Sequence, residues 1–386
     1  MTEVQSWHLA FQPFELSTRL SLRNRIVCPP MVTQMNVNSE KALTHYRAIA
    51  NGGAGLVILE CVSLPRFLEG GDLHDGVVLR RLSDAVHSAG AKVGAQIFAG
   101  FSRFDPPGSY TGTQFSHVNS PSEFTRDGIQ AVISGFREAL RVLSQAGFDV
   151  IEPHGAHGFL LNQFFSPVDN TRVDEYGPQS TENRMRFGRE IVAALAEENA
   201  KVGRPLTLFY RHSPEGHGYS PADSVQFAQC LYAAGLDCID LSPDSAPVGR
   251  LFREGVPALP GRTPLRVMVV GALERDRAGE EALAQGAADG LLKETRFGWA
   301  ANGLLHCKGC DGVRGEEAQG AADVIALGRQ LLCDPSWPTK MAAGRQDEIE
   351  QCAKCGACLQ LIFKGREVMC PKAAAAARRQ AGAGQL

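Results

Sequence analysis

The stretch from Val150 to Gly177, VIEPHGAHGFLLNQFFSPVDNTRVDEYG, places His154 and His157 three residues apart at the end of a short apolar run, with Phe159 two residues further on. Three chemistries suit such a pair. The imidazoles could bind zinc, but no third ligand with matching spacing is evident, and Pro153, Gly155 and Gly158 break any helix that would align them. They could be structural, one buried and satisfied and the other exposed. Or they could form a donor pair that fixes a carbonyl or nitro oxygen and polarises a conjugated system, as an oxyanion hole does.

A second concentration of reactive side chains lies near the C-terminus. Cys352, Cys355 and Cys358 follow a C-x2-C-x2-C pattern, with Cys370-Pro371 beyond it. Four thiolates are what a [4Fe–4S] centre requires; the competing reading is of thiols left over from an ancestor that held one. Cys307 and Cys310 form an isolated C-x-x-C that supplies only two ligands.

The elements that must position these groups follow one junction type. ANGGAGLVILE, HSAGAKVGAQI, SQAGFDVIEP, YAAGLDCIDLS and AQGAADVIALG each read as a helix end, a glycine and a short apolar strand. Gly53, Gly90, Gly147, Gly235 and Gly320 suit the left-handed position that stops a helix. Strands apolar along their whole length are those of a parallel sheet covered on both faces. Between them, Ile129, Val132, Ile133, Phe136, Leu140 and Leu143 repeat at helical spacing. Strands are expected at 24–31, 55–60, 91–97, 147–152, 205–211, 236–241, 265–270 and 322–327. That number of parallel strands in an α/β chain, with no G-x-G-x-x-G after the first, predicts a (β/α)8 TIM barrel.

Chemistry in such a barrel sits at the strand C-terminal ends. These carry Pro29-Pro30-Met31, Glu60-Cys61, Gln96, Glu152-Pro153-His154, Arg211-His212, Leu241-Ser242, Gly271-Ala272 and Gly328-Arg329. The set is rich in hydrogen-bond donors and nearly free of clustered carboxylates, which argues for a polar or anionic cofactor and against hydrolysis by paired acids. Gly271 and Gly328-Arg329 end the last two strands, where barrels bind phosphate; the competing reading is a tight turn and a surface arginine.

At 386 residues the chain can bury a large core without disulfides, so its eleven cysteines are expected to be reduced in a cytoplasmic setting. A formal net charge of −3 gives no reason to expect nucleic acid or an anionic membrane as partner. No apolar run approaches the roughly 20 residues that span a bilayer, and MTEVQSWHLAFQPF lacks the features of a secretory signal.

The block IEPHGAHGFLLNQFFSPVDNTRVDEYG…ENRMRF resembles the signature of the old yellow enzyme family of FMN-dependent ene-reductases. PFEL…LSLRNRIVCPPM, HYRAIANGGAGLVILE, GAQIFAG and ADVIALGRQLLCDPSWPTK resemble further units of that family, so the likeness covers most of residues 10–345. The resemblance implies that Pro30, Met31, Cys61 and Gln96 line an isoalloxazine ring. Arg211 would sit near N1 and O2, and Gly271, Gly328 and Arg329 would hold the FMN phosphate. His154 and His157 would bind the electron-withdrawing oxygen of an activated alkene. It also implies hydride transfer from NAD(P)H through flavin N5 to the alkene β-carbon, in a ping-pong cycle at one shared site.

Three departures stand out. Phe159 occupies the position of a tyrosine that delivers a proton in family members, and phenylalanine cannot donate one. Val32 falls where the family places a Cys or Thr against the flavin, with Thr33 one residue away. AQGAAD occurs at Ala284–Asp289 and again at Ala318–Asp323, so residues 290–323 read as an insertion or as sequence absent from the working protein. The cysteine-rich extension at 346–386, ending in a disordered tail, resembles that of the family's iron–sulfur branch, including the dienoyl-CoA reductases. Here the sequence ends where those proteins continue. Two rival functions follow: an iron–sulfur flavoenzyme fed by a partner protein, and a flavin-binding sensor or electron-transfer module with weak turnover. A homo-oligomer is compatible with all three.

Overall fold

The computed structural model describes residues 10–99, 120–242, 251–252, 255–270 and 322–375. Gly271, Gly320, the Cys307–Cys310 pair, residues 290–321 of the expected insertion and the tail beyond 375 lie outside the described residues.

An antiparallel hairpin, β1 (Phe14–Ser17) and β2 (Leu20–Leu22), precedes the barrel. The barrel strands are β3 (Ile26–Cys28), β4 (Leu56–Ser63), β5 (Lys92–Phe98), β6 (Val150–Gly155), β7 (Thr207–His212), β8 (Cys238–Leu241), β9 (Arg266–Val270) and β10 (Val324–Ala326). Each pairs in parallel with its neighbours, and β10 returns to β3, closing the cylinder. Every expected strand position is occupied, with boundaries moved for local reasons. β3 stops at Cys28 because Pro29 and Pro30 have no N–H to give to the ladder. β4 runs on to Ser63 through a register shift between Leu59 and Val62, a bulge that re-aims Glu60 and Cys61 at the barrel rim.

The helices are α1 (Glu40–Asn51), α2 (Val77–Ser88), α3 (Arg126–Gln145), α4 (Leu160–Phe165), α5 (Thr181–Asn199), α6 (Pro221–Ala234), α7 (Gly328–Cys333), α8 (Trp337–Ala342) and α9 (Ala357–Phe363). Gly53, Gly90, Gly147 and Gly235, the described members of the helix-stop set, all have φ between 79° and 123°. α3 buries the expected stripe from Ile129 to Leu143, and its first turn is closed by Thr125, whose hydroxyl accepts from Gly128 N at 3.0 Å.

Two apolar layers result. One lies between barrel and helices. The other fills the cylinder with Val27, Leu56, Ile58, Val150, Phe209, Cys238, Met268 and Val324. Leu16, Leu20 and Leu22 of the hairpin join that inner cluster at the level where the strands begin, so the hairpin plugs the N-terminal end. The opposite end is left for chemistry. The segment after α8 returns to the barrel: Cys352 N donates to Gln330 Oε1 of α7 at 3.0 Å, and Val368 N donates to the Thr33 carbonyl at 2.8 Å. Among the described residues, no helix is long and apolar enough to cross a membrane.

Candidate active site

Side chains alternate across a strand, so the inward position of Val150 puts Glu152 and His154 on the same interior face of β6. Phe209 does the same for Arg211 on β7, and Cys238 for Asp240 and Ser242 on β8. Register places Arg211 opposite both His154 and Asp240. Three adjacent strands therefore bring these side chains together at the C-terminal end of the barrel.

His154 is 4% exposed, and its Nδ1 accepts from Ala156 N at 3.3 Å. The ring proton is then on Nε2, free to donate. His157 lies in the following turn with φ of 58°, a conformation rare outside glycine, and Gly158 continues it at 75°. The turn is held by buried polar groups. His157 N donates to Ser213 Oγ at 3.0 Å, Gly158 N to Asn162 Oδ1 at 2.9 Å, and Gln163 Nε2 to the Gly158 carbonyl at 2.8 Å. The two imidazoles meet edge to face, centroids 5.3 Å apart.

Arg211 donates from Nη1 to the Pro30 carbonyl at 3.4 Å and from Nη2 to Ser242 Oγ at 3.0 Å. Ser242 Oγ is also 2.9 Å from His157 Nε2. The hydroxyl accepts from the guanidinium, and its own proton is available to Nε2 in the tautomer of His157 that carries the N–H on Nδ1. Burial, then the charge of Arg211, lowers the His157 pKa to about 4 although its ring meets water at the barrel rim. Burial, His157 and Arg211 together press His154 well below the usual histidine range. Both rings are neutral at physiological pH, and each has one N–H to offer. A convergent metal site is not formed: among the described residues no group of three or more His, Cys, Asp or Glu side chains is gathered to hold a metal ion.

Phe159 packs 4.5 Å from His154 and 5.8 Å from Phe98, centroid to centroid, and puts an apolar edge beside the donors. The neighbouring wall comes from Pro30, Met31, Cys61 and Gln96. Burial holds the Cys61 thiol well above its ordinary pKa, against the pull of Arg211, so it is an uncharged surface there. Thr33 is 2% exposed, and its hydroxyl and N–H both bond Glu60, at 2.8 and 2.6 Å. Val32 is 41% exposed. A one-residue shift in the alignment therefore presents no extra hydroxyl, because Thr33 is already engaged.

Gly328 opens α7, where a Cβ would lie 2.6 Å from Met31 Sδ, so the strand end and the Pro30–Met31 wall are packed together. Arg329 is half-buried and has no hydrogen-bond or ion-pair partner among the described residues.

One expectation needs correcting. The strand ends are not free of clustered carboxylates once the layer beneath is included. Glu152 and Asp240, both 0% exposed, lie close enough to Arg211 and to each other to interact. Burial and then Asp240 push the Glu152 pKa well up; burial also raises that of Asp240, which Arg211 opposes. Sequence spacing could not reveal the pair, because the two residues lie on strands far apart in the chain. The inward period-2 positions of β6 and β8 were the available signal.

The C-terminal thiols are carried by a segment folded against α7. Cys355 is exposed, while Cys352, Cys358 and Cys370 are partly buried. Cys333 of α7, which spacing did not single out, hydrogen-bonds Cys370. As placed, these side chains do not form a ready ligand set for a cluster.

The mouth does suit a flavin. Arg211 is a buried cation whose one ion pair among the described residues, with Asp240 at 3.5 Å, lacks a hydrogen bond, so it can favour an anionic ring edge. Pro30 and Met31 offer an apolar wall, Gln96 an amide, and Arg329 a charge with no partner among the described residues.

Comparison with known proteins agrees. Residues 10–242 match the family described as NADH:flavin oxidoreductase / NADH oxidase. An NADPH dehydrogenase from Listeria welshimeri is 30% identical, covering 86% of this chain and 94% of that protein. An NADH oxidase from Thermoanaerobacter brockii is 33% identical, and the chain spans about half of its length, 51%. Morphinone reductase superposes with a TM-score of 0.62 at 20% identity over 89% of this chain and 91% of that one. An old yellow enzyme from Pichia sp. gives 0.62 at 19%, over 93% and 90%. The chain belongs to the NADH:flavin oxidoreductase / NADH oxidase family, the old yellow enzyme family that its sequence resembles.

Proposed function

We propose that this protein is an FMN-dependent ene-reductase that uses NAD(P)H to reduce activated alkenes such as enones, maleimides and nitroalkenes. Bound FMN would supply the redox step, taking hydride from NAD(P)H and giving it to the alkene β-carbon, the two substrates using one site in turn. The protein's own groups do the rest. Pro30, Met31, Cys61 and Gln96 seat the ring, and Arg211 favours negative charge at its edge. Gly328 and Arg329, with Gly271, hold the phosphate.

His154 Nε2–H and His157 Nδ1–H bind the substrate oxygen. Bonds from neutral donors strengthen as charge grows on that oxygen, and such a pair supplies several kcal/mol to the transition state. Phe159 brings no proton, so the α-carbon is protonated by water or another donor, and strongly activated alkenes are the favoured substrates.

The observation that carries this reading is the pair of neutral imidazoles, each with one N–H to donate, beside a buried and weakly paired Arg211. The test is anaerobic. NADH or NADPH should bleach the bound flavin, and a maleimide, an enone and a nitroalkene should restore its colour with formation of the saturated product. A flavin that stays oxidised under either nicotinamide would favour the sensor reading. Iron and sulfide assayed on the same sample decide whether the C-terminal thiols carry a cluster.

A further inference from the structure

Beneath the histidines, four buried polar atoms have no hydrogen-bond partner: Glu152 Oε2, Asp240 Oδ1 and Oδ2, and Arg211 Nε. Two ionised carboxylates cannot satisfy one another, since both only accept. A single proton changes that, because a neutral carboxyl donates while its neighbour accepts.

Charge balance points the same way. Facing Glu152 are Cys61 from β4, Gln96 from β5, Arg211 from β7, and Asp240 and Cys238 from β8. Arg211 is the one cation of this set, so two buried negative charges would leave one without a counter-ion, which is costly. Position decides which acid is neutral. Arg211 Nε is 3.5 Å from Asp240 Oδ2, whereas the hydrogen bond that Glu152 receives, 2.7 Å from Gln96 Nε2, comes from a neutral amide.

We infer that Glu152 keeps its carboxyl proton at neutral pH and, as a neutral positioning residue, fixes the side-chain amide of Gln96. With its nitrogen engaged by Glu152 Oε1, Gln96 has its oxygen left to accept from a ring N–H. That last consequence rests on the FMN reading; the protonation does not.

The direct test is isotope-edited infrared spectroscopy of the full chain at pH 7, readable with or without flavin. The expected result is a protonated-carboxyl stretch that shifts with labelled glutamate and not with labelled aspartate, disappears in Glu152→Gln and survives Glu60→Gln. Absence of the band, or a band that follows aspartate, overturns the assignment. Should Glu152→Gln not fold, the labelling of the unmodified protein still decides. FMN titration tests the positioning role. Glu152→Gln, which keeps a neutral acceptor for Gln96, should stay within about threefold of the parent affinity, and Glu152→Ala should bind about tenfold more weakly, the equivalent of one hydrogen bond. Equal affinities for the two variants would overturn that role. Failure of the parent itself to bind FMN would sink the proposed function and leave the infrared result standing.

Discussion

Phe159 is one of the three departures from the expected family pattern, and its surroundings make a definite prediction. Its ring lies against His154, so a hydroxyl added there would sit beside the oxygen-binding donors. Phe159→Tyr should raise turnover of weakly activated enones by at least about tenfold, a threshold below the roughly hundredfold or more that a positioned acid supplies. No gain would mean that protonation does not limit the rate. Ser242 makes a second prediction, since it carries the Arg211–His157 connection. Ser242→Ala should slow reoxidation by an alkene about tenfold and leave the overall fold intact. Nitrogen NMR of the His157 ring would show the lost tautomer preference, which a purely structural role would leave unchanged. The pH dependence follows from His157. Its pKa of about 4 means the ring stays neutral through neutral pH and gains a second N–H only as pH falls through that value, where Nε2 can no longer accept from Ser242; alkene reduction should therefore be flat in pH above about 4 and change only below it. The histidines, Arg211 and the wall residues were legible because each sits at a strand end in a recognisable motif. Ser242 and Asp240 were legible as positions and silent as roles, because their partners come from other strands.

At the scale of elements, the site depends on turns as much as on strands. Gly155 ends β6 where a Cβ would meet the Tyr210 ring at 2.3 Å, and the histidine turn begins immediately after it. Gly155→Ala should lower the melting temperature and distort the His154–His157 geometry, seen as weaker binding of enone substrates. α4 was the element that spacing missed. Its sequence LLNQFF was assigned no element, yet Asn162 and Gln163 are buried and support the turn from beneath. A short helix of six residues has too little periodicity to announce itself. The Gly-stopped helices and apolar strands, in contrast, advertised the barrel throughout. The hairpin plug was not singled out, because strands of four and three residues are too short for a period of two to show.

Across the whole molecule, the two ends of the barrel divide stability from chemistry. At the N-terminal end Asp149 accepts from His87 Nε2 at 2.7 Å, Val93 N at 2.9 Å and Arg204 Nη2 at 2.8 Å. Burial alone would raise its pKa, and these bonds outweigh it and hold the carboxyl below the usual range. A depressed acid stabilises the fold above its unfolded pKa and loses that contribution as pH falls through the folded value. Asp149→Asn should therefore cost about 1–3 kcal/mol in urea unfolding at neutral pH, a gap that closes in acid, with alkene reduction unaffected. At the other end, the chain after α8 ties α7 to the Thr33 segment, linking the suggested phosphate site to the wall of the mouth.

The most direct measurement of the central claim is the rate at which reduced enzyme is reoxidised, by a maleimide and separately by dioxygen, in the parent and in His154→Ala and His157→Ala, which remove the donors outright. Dioxygen needs no pair of donors for a carbonyl oxygen and serves as the internal control. The account predicts that reoxidation by the maleimide falls about a hundredfold or more, while reoxidation by dioxygen changes little. Equal maleimide rates in parent and variants would contradict it.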